Sequence, residues 1–106
     1  MVIHVRIILV ITMALLALSV AEARSAVIYK NEACSHCGPY IAQLLPVLQA
    51  NGFDSIVQKP FINDENARVE MALLKERFKV PLQLQGHMST VIDGKYLLEG
   101  HVPLPV

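Results

Sequence analysis

The chain has 106 residues, with nine basic and nine acidic side chains, two cysteines and four histidines. That length allows one domain at most. The balanced charge argues against a nucleic-acid partner, which would require a basic stripe, and against a purely electrostatic anchor to a membrane surface.

The first 23 residues have the pattern of a secretory signal peptide. Arg6 supplies the positive charge, residues 7–21 are uncharged and strongly apolar, and Ala21-Glu22-Ala23 has the small residues that a signal peptidase reads. The apolar run is shorter than the roughly 20 residues that a membrane-spanning helix needs, and an uncleaved membrane anchor is the competing interpretation. We therefore predict a signal peptide over residues 1–23 and a domain over residues 24–106, located outside the cytoplasm (periplasmic or secreted) or held at a membrane by that anchor.

The predicted elements of the domain begin with a short buried strand over residues 26–30 and a polar loop over residues 31–36. Pro39 is tolerated in the first turn of a helix, where its missing N–H has no partner. This helix should continue to about Ala50, with a kink at Pro46. Its apolar residues recur at helical spacing: Ile41, Leu44, Leu45 and Leu48.

A second strand is predicted around residues 55–58 and a second helix after Asn63, which can cap it. Lys75 is expected on a solvated face of this helix, which should end before Val80-Pro81. The residues predicted to form its buried stripe are Val69, Ala72, Leu73 and Phe78.

A loop over residues 82–88 leads to two strand-like runs around Asp93-Gly94, which is the signal of a β-hairpin. The complete order is then strand, helix, strand, helix, strand, strand. Each strand–helix–strand crossover favours parallel pairing, and the final hairpin is antiparallel. We therefore predict an α/β fold with a mixed sheet, thioredoxin-like, in which the usual last helix is missing or truncated.

The two cysteines form a Cys-x-x-Cys motif, Cys34-Ser35-His36-Cys37, between the first strand and the first helix. This setting is typical of a redox centre. The helix dipole would favour the thiolate of Cys34, Cys37 would resolve a mixed disulfide, and a protonated His36 would lower the pKa of Cys34 further. A structural disulfide is less favoured, because a bridge across two residues constrains the unfolded chain little.

The leading hypothesis is thus an exported thiol–disulfide oxidoreductase with Cys34, Cys37 and His36 as its catalytic residues and no required cofactor. Its partners would be protein thiols or disulfides, or a dedicated redox partner protein. We expect a monomer that contacts no nucleic acid, and that contacts a membrane only if the N-terminal segment is retained.

Metal binding is the alternative hypothesis, because two thiolates suit copper(I) or zinc. Two thiolates do not complete a tetrahedral site, and further ligands would come from His87 and Met88, in the loop expected to face Cys34 and Cys37. The position of His101 relative to the cysteines is not determined by the sequence. A third option is a partner-binding domain in which the cysteines only brace their loop.

Two resemblances bear on this choice. The motif Cys34-Ser35-His36-Cys37 resembles the C-P-H-C site of secreted bacterial disulfide oxidoreductases, with Ser35 in place of the proline. The segments Val80–Gly94 and Tyr96–Pro103 resemble a small exported thioredoxin-like family, a domain of unknown function described as metal-binding and linked to copper resistance. That family's pattern runs roughly V-P-x-x-L-x-S-C-H-T-A-V-V-x-G-Y-x-x-E-G-H-V-P, and its first helix ends in N-G-F, here Asn51-Gly52-Phe53.

The family resemblance implies a thioredoxin-like fold and a copper site that includes the Cys-x-x-Cys. The family's Cys-His in the loop corresponds to His87-Met88, and its extra cysteine within the first motif corresponds to His36. The resemblance therefore implies a site of thiol, imidazole and thioether ligands: Cys34, Cys37, His87 and Met88.

Overall fold

The structure, a computed structural model, describes residues 23–104. All but the last residue of the predicted signal peptide lies outside this range, as do the final two residues of the chain. Within the described range, no helix is both long enough and apolar enough to cross a membrane.

Four strands and two α-helices follow one another in the predicted order, with a single 3-10 turn before the third strand. Their bounds are β1 Arg24–Lys30, α1 Cys37–Ala50, β2 Phe53–Pro60, α2 Glu65–Arg77, the 3-10 turn Leu82–Leu84, β3 Ser89–Ile92 and β4 Tyr96–Glu99.

The strands form one mixed sheet in the order β2-β1-β3-β4. β1 and β2 are parallel, whereas β3 is antiparallel to both β1 and β4. The expectation of parallel pairing after the second crossover is therefore wrong. After α2 the chain returns through residues 78–88 to the carboxyl end of β1, where Ser89 pairs with Tyr29, and β3 must then run in the opposite direction.

The two helices cover opposite faces of the sheet. Ala26 and Ile28 on β1 point to the α1 side, and Tyr29 points to the other side because successive residues of a strand alternate. The α1-side core is made of Ala26, Ile28, Cys37, Ile41, Leu44, Leu48, Phe53 and Met88. The α2-side core is made of Tyr29, Phe61, Ala67, Met71 and Val91.

The buried face of α2 differs from the predicted one. Val69 and Leu73 are 51% and 59% exposed, whereas Ala67, Met71 and Lys75 are buried. Both sets recur at helical spacing, so periodicity alone cannot choose between them. The cap also shifts by one residue, because Asp64, not Asn63, accepts the N–H groups at the start of the helix.

Lys75 was expected to be solvated but is 8% exposed. Its Nζ lies 3.5 Å from Oε2 of Glu99 and 3.4 Å from the carbonyl oxygen of Gly86. A buried ammonium group needs such partners, and the charge pattern of α2 alone does not show them. The pair joins α2 to the end of β4.

Candidate metal centre

The candidate site lies at one edge of the sheet, where β1 ends, β3 begins and β4 ends. Tyr29 near the end of β1 pairs with Ser89, and Ser89 pairs with Glu99. The loop that carries Cys34 follows β1, and His101 follows β4 by two residues. The sheet register therefore brings two segments to the same edge although they are far apart in sequence.

Cys34 and Cys37 are both free thiols, the first half-buried and the second 1% exposed. α1 begins at Cys37, so Cys34 lies in the loop before the helix, three residues from its first residue. Cys34 is held in a turn: its N–H donates to the carbonyl of Asn31 at 3.1 Å, and its own carbonyl accepts from the N–H of Cys37 at 3.3 Å.

The two thiols differ in acidity. The pKa of Cys34 lies below its usual value because the Cys37 thiol donates a hydrogen bond to it, and the backbone N–H groups of His36 and Cys37 add to the effect. Burial, the hydrogen bond to Cys34 and the charge of Cys34 together raise the pKa of Cys37 to about 11, and burial is the largest of these causes. Cys34 is therefore the first of the two to become a thiolate.

His101 is the third member of the site. Its Nε2 lies 3.3 Å from Sγ of Cys37. Its ring stacks on Tyr40, with ring centroids 4.6 Å apart and planes 3° from parallel. The Tyr40 hydroxyl donates to the carbonyl oxygen of Val102 at 2.7 Å, so Tyr40 holds both the His101 ring and the backbone that follows it.

The segment before His101 is held by Glu99 and two glycines. The Glu99 carboxylate accepts from the N–H of Gly86 at 2.9 Å and from the hydroxyl of Ser89 at 2.6 Å, and the N–H of Gly100 donates to the carbonyl of Met88 at 2.8 Å. Gly100 has φ +74°, and a Cβ at Gly86 would lie 2.8 Å from the nitrogen of Gly100. Side chains at these two positions would displace the backbone that delivers His101.

One ligand atom from each of Cys34, Cys37 and His101 lies within 4.8 Å of the other two. Ligand atoms bound to one ion at roughly 2.0–2.3 Å are at most about 4.6 Å apart, so a small adjustment would let all three contact one ion. Two thiolates and an imidazole are soft to borderline ligands of the kind that suit copper(I) or zinc. The donor set therefore fits a metal ion of this class.

The other predicted site residues, His36, His87 and Met88, are not part of this group. The side chains of His36 and His87 are exposed and belong to no three-ligand group among residues 23–104. Met88 is fully buried in the α1-side core, in the same cluster as Cys37. His36 also precedes α1 as its N-cap residue without a side-chain hydrogen bond to the helix.

His101 and Tyr40 were not assigned to the site from sequence. The one available signal for His101 was the run Glu99-Gly100-His101-Val102-Pro103, the E-G-H-V-P part of the family pattern. It contains both the imidazole of the site and the carboxylate that anchors the segment. Nothing in the sequence marks Tyr40 as a site residue, because an aromatic side chain near the start of a helix most often packs in the core.

Comparisons with known proteins give one informative likeness. No protein-family model matches the chain, and no curated protein sequence matches it. A solved structure of the copper resistance protein CopG (form 2) is similar, with a TM-score of 0.51 and 29% identity over 77% of this chain and 56% of that one. The chain thus matches just over half the length of a copper resistance protein and carries a Cys-Cys-His group that could bind metal.

Proposed function

We propose that this chain is a copper(I)-binding protein of copper resistance or copper handling, with Cys34, Cys37 and His101 as the ligands. The observation that carries the proposal is the convergence of two thiols and one imidazole within 4.8 Å. The likeness to CopG, whose name states a role in copper resistance, supports copper as the metal. Copper(I) would be the ion that the protein carries, and the three side chains would hold it.

The ligand chemistry follows from the acidity of the two thiols. Both cysteines would bind as thiolates, and copper would have to displace the proton of Cys37, whose pKa is about 11. His101 would bind through Nε2, the ring nitrogen that already faces Cys37. Binding would therefore release protons and would be stronger at higher pH.

The proposed fold is thioredoxin-like, and the proposed location is outside the cytoplasm. The first is supported by the strand order β2-β1-β3-β4 with one helix on each face. The second is supported by the signal-peptide pattern of residues 1–23.

A thiol–disulfide oxidoreductase is the second candidate, with Cys34 attacking and Cys37 resolving. The observation that favours it is the difference in acidity, with the pKa of Cys34 lowered and that of Cys37 raised. A partly accessible thiol of low pKa beside a buried partner is the arrangement that disulfide exchange needs. Its partners would be protein thiols or disulfides. A reduction potential below about −300 mV, in the range of inert structural disulfides, would remove this candidate.

An anaerobic titration of the reduced protein with copper(I), against a chromophoric copper(I) chelator, tests the leading proposal. We expect one tightly bound ion per chain and weaker binding for His101→Ala. His87→Ala is the matched control, because His87 is an exposed histidine outside the ligand group. Binding that is lost in His87→Ala and kept in His101→Ala would assign the site to the loop instead, and no binding at all would overturn the proposal.

A further inference from the structure

A cavity of about 280 Å³ opens beside the two thiols. Cys34 and Cys37 both line it, whereas His101 does not. An ion held by the three ligands would therefore have a second approach, through this cavity. Its volume is at the lower end of the range for small-molecule sites, which suits a ligand of a few heavy atoms.

The cation in the cavity wall is Lys30. Among residues 23–104 its ammonium group forms no ion pair, and its hydrogen-bond partner is Oε1 of Gln58 at 3.4 Å. The neighbouring carboxylate, Glu32, is already engaged, because its two oxygens accept the N–H groups of Ile62 and Asn63 at 2.9 and 3.0 Å. Glu32 keeps its negative charge but is turned toward these N–H groups, so within residues 23–104 it forms no ion pair with Lys30.

The two amide side chains of the wall also present donors. Oε1 of Gln58 accepts from Lys30, and Oδ1 of Asn31 accepts from the N–H of Ala33 at 2.9 Å. Within residues 23–104 neither NH₂ group donates a hydrogen bond, so both can donate to a ligand. Lys30, Gln58 and Asn31 thus offer donors and a positive charge, and Ile41 adds an apolar surface. This combination suits a small anion with a short hydrocarbon part.

We propose that this cavity binds a small thiol that carries a carboxylate, and that this thiol acts as an exchangeable ligand of copper(I). The inference rests on the proposed function, because the sulfur would bind the copper held by Cys34 and Cys37. The carboxylate would lie against Lys30. Such a ligand would deliver or remove copper without a second protein.

The exchange is a ligand substitution without electron transfer. The thiol loses its proton to solvent, one copper–sulfur bond forms, and the bond from copper to Nε2 of His101 breaks. Copper remains copper(I) throughout. His101 is the ligand suited to leave, because an imidazole ligand, unlike the two thiolates, brings no negative charge to copper(I), and His101 is the most exposed of the three residues.

The test uses the purified full chain, first titrated with copper(I) under anaerobic conditions to establish its stoichiometry. The loaded protein is then titrated with 3-mercaptopropionate and with the neutral 2-mercaptoethanol at equal thiolate concentration. Copper(I) is diamagnetic, so the side-chain amide NMR signals of Gln58 and Asn31 report binding. We expect a saturable shift of both signals with 3-mercaptopropionate, at roughly fivefold higher affinity than for 2-mercaptoethanol, as for one exposed ion pair.

Lys30→Met should abolish that preference. Lys95→Met is the matched control, because it removes the same charge from an exposed residue at the β3–β4 turn and should keep the preference. Equal affinities for the two thiols, or a preference that survives in Lys30→Met, would overturn the cavity assignment and leave the copper proposal intact. Failure of the first titration would overturn both.

Discussion

Tyr40 lies flat against His101, with ring centroids 4.6 Å apart and planes 3° from parallel. Tyr40 is three residues after Cys37 on the same helix, and its hydroxyl binds the carbonyl of Val102. One helix therefore supplies a thiol of the site and the side chain that holds the imidazole against it. α1 therefore orients the His101 ring, and β4, which ends two residues earlier, brings His101 to the site.

The first prediction concerns this contact. Tyr40→Phe keeps the stacking and loses one hydrogen bond, and it should weaken copper(I) binding by up to roughly fivefold. Tyr40→Leu loses both interactions and should weaken it by roughly tenfold or more. Competition with a copper(I) chelator measures the affinities, and thermal unfolding shows whether the fold is intact. Tyr96→Phe, at a tyrosine that is 63% exposed, should change nothing, and an unaltered affinity in Tyr40→Leu would contradict the role given to Tyr40.

The second prediction concerns the order in which the thiols ionise. In the reduced, metal-free protein, alkylation of Cys34 should reach half its maximal rate below the usual pH for a thiol, since its pKa is lowered. Cys37 should remain protected until the pH approaches about 11. Rates of iodoacetamide labelling at each cysteine, read by peptide mass spectrometry over a pH series, provide the measurement.

Single variants separate the causes of these two pKa values. Cys37→Ala removes the thiol that donates to Cys34, so the pKa of Cys34 should rise. Cys34→Ala removes the hydrogen bond and the charge that help to raise the pKa of Cys37. Burial, the largest cause, remains and should keep that pKa above its usual value. If both cysteines of the parent protein were labelled with the same pH dependence, the proposed difference between their pKa values would be contradicted.

The third prediction concerns the pair of Lys75 and Glu99, whose side chains are 10% and 13% exposed. Glu99→Gln would leave a buried ammonium group without its counter-charge, and it should lower the free energy of unfolding by about 3 kcal/mol. Glu70→Gln breaks the more exposed pair with Lys59 and should cost less than about 1 kcal/mol. Denaturant unfolding of both variants gives the comparison, and equal losses would argue against a special role for the buried pair.

The fourth prediction concerns the close approach of Gly86 to Gly100. A Cβ at residue 86 would lie 2.8 and 2.9 Å from backbone atoms of Gly100, so Gly86→Ala should move His101 and weaken copper(I) binding. Gly38→Ala is the contrast, because its Cβ would meet nothing within 4 Å. That change should stabilise α1 by up to about 1 kcal/mol and leave the position of His101 unchanged, as seen in the NMR signals of the imidazole.

Local patterns in the sequence were sufficient for much of the fold. The helical spacing in α1, the strand-like runs and the Asp93-Gly94 turn depend on neighbours within a few residues, and these elements are present in the structure with bounds that differ by up to about two residues. The errors occurred where two local patterns competed. Val69 and Leu73 form an apolar stripe as regular as that of Ala67 and Met71, and contact with the sheet decides which one is buried.

The motif alone is sufficient to place the two thiols, Cys34 and Cys37, close together where a strand is followed by a helix, because only two residues separate them. The third member of the Cys-Cys-His group is set by long-range contacts. His101 is 64 residues from Cys37, and its place depends on β3 running antiparallel to β1, on the Glu99 carboxylate anchoring the segment before it, and on Tyr40 stacking against its ring. Contacts between residues so far apart form only in the folded sheet, and they produce no periodic pattern in the sequence.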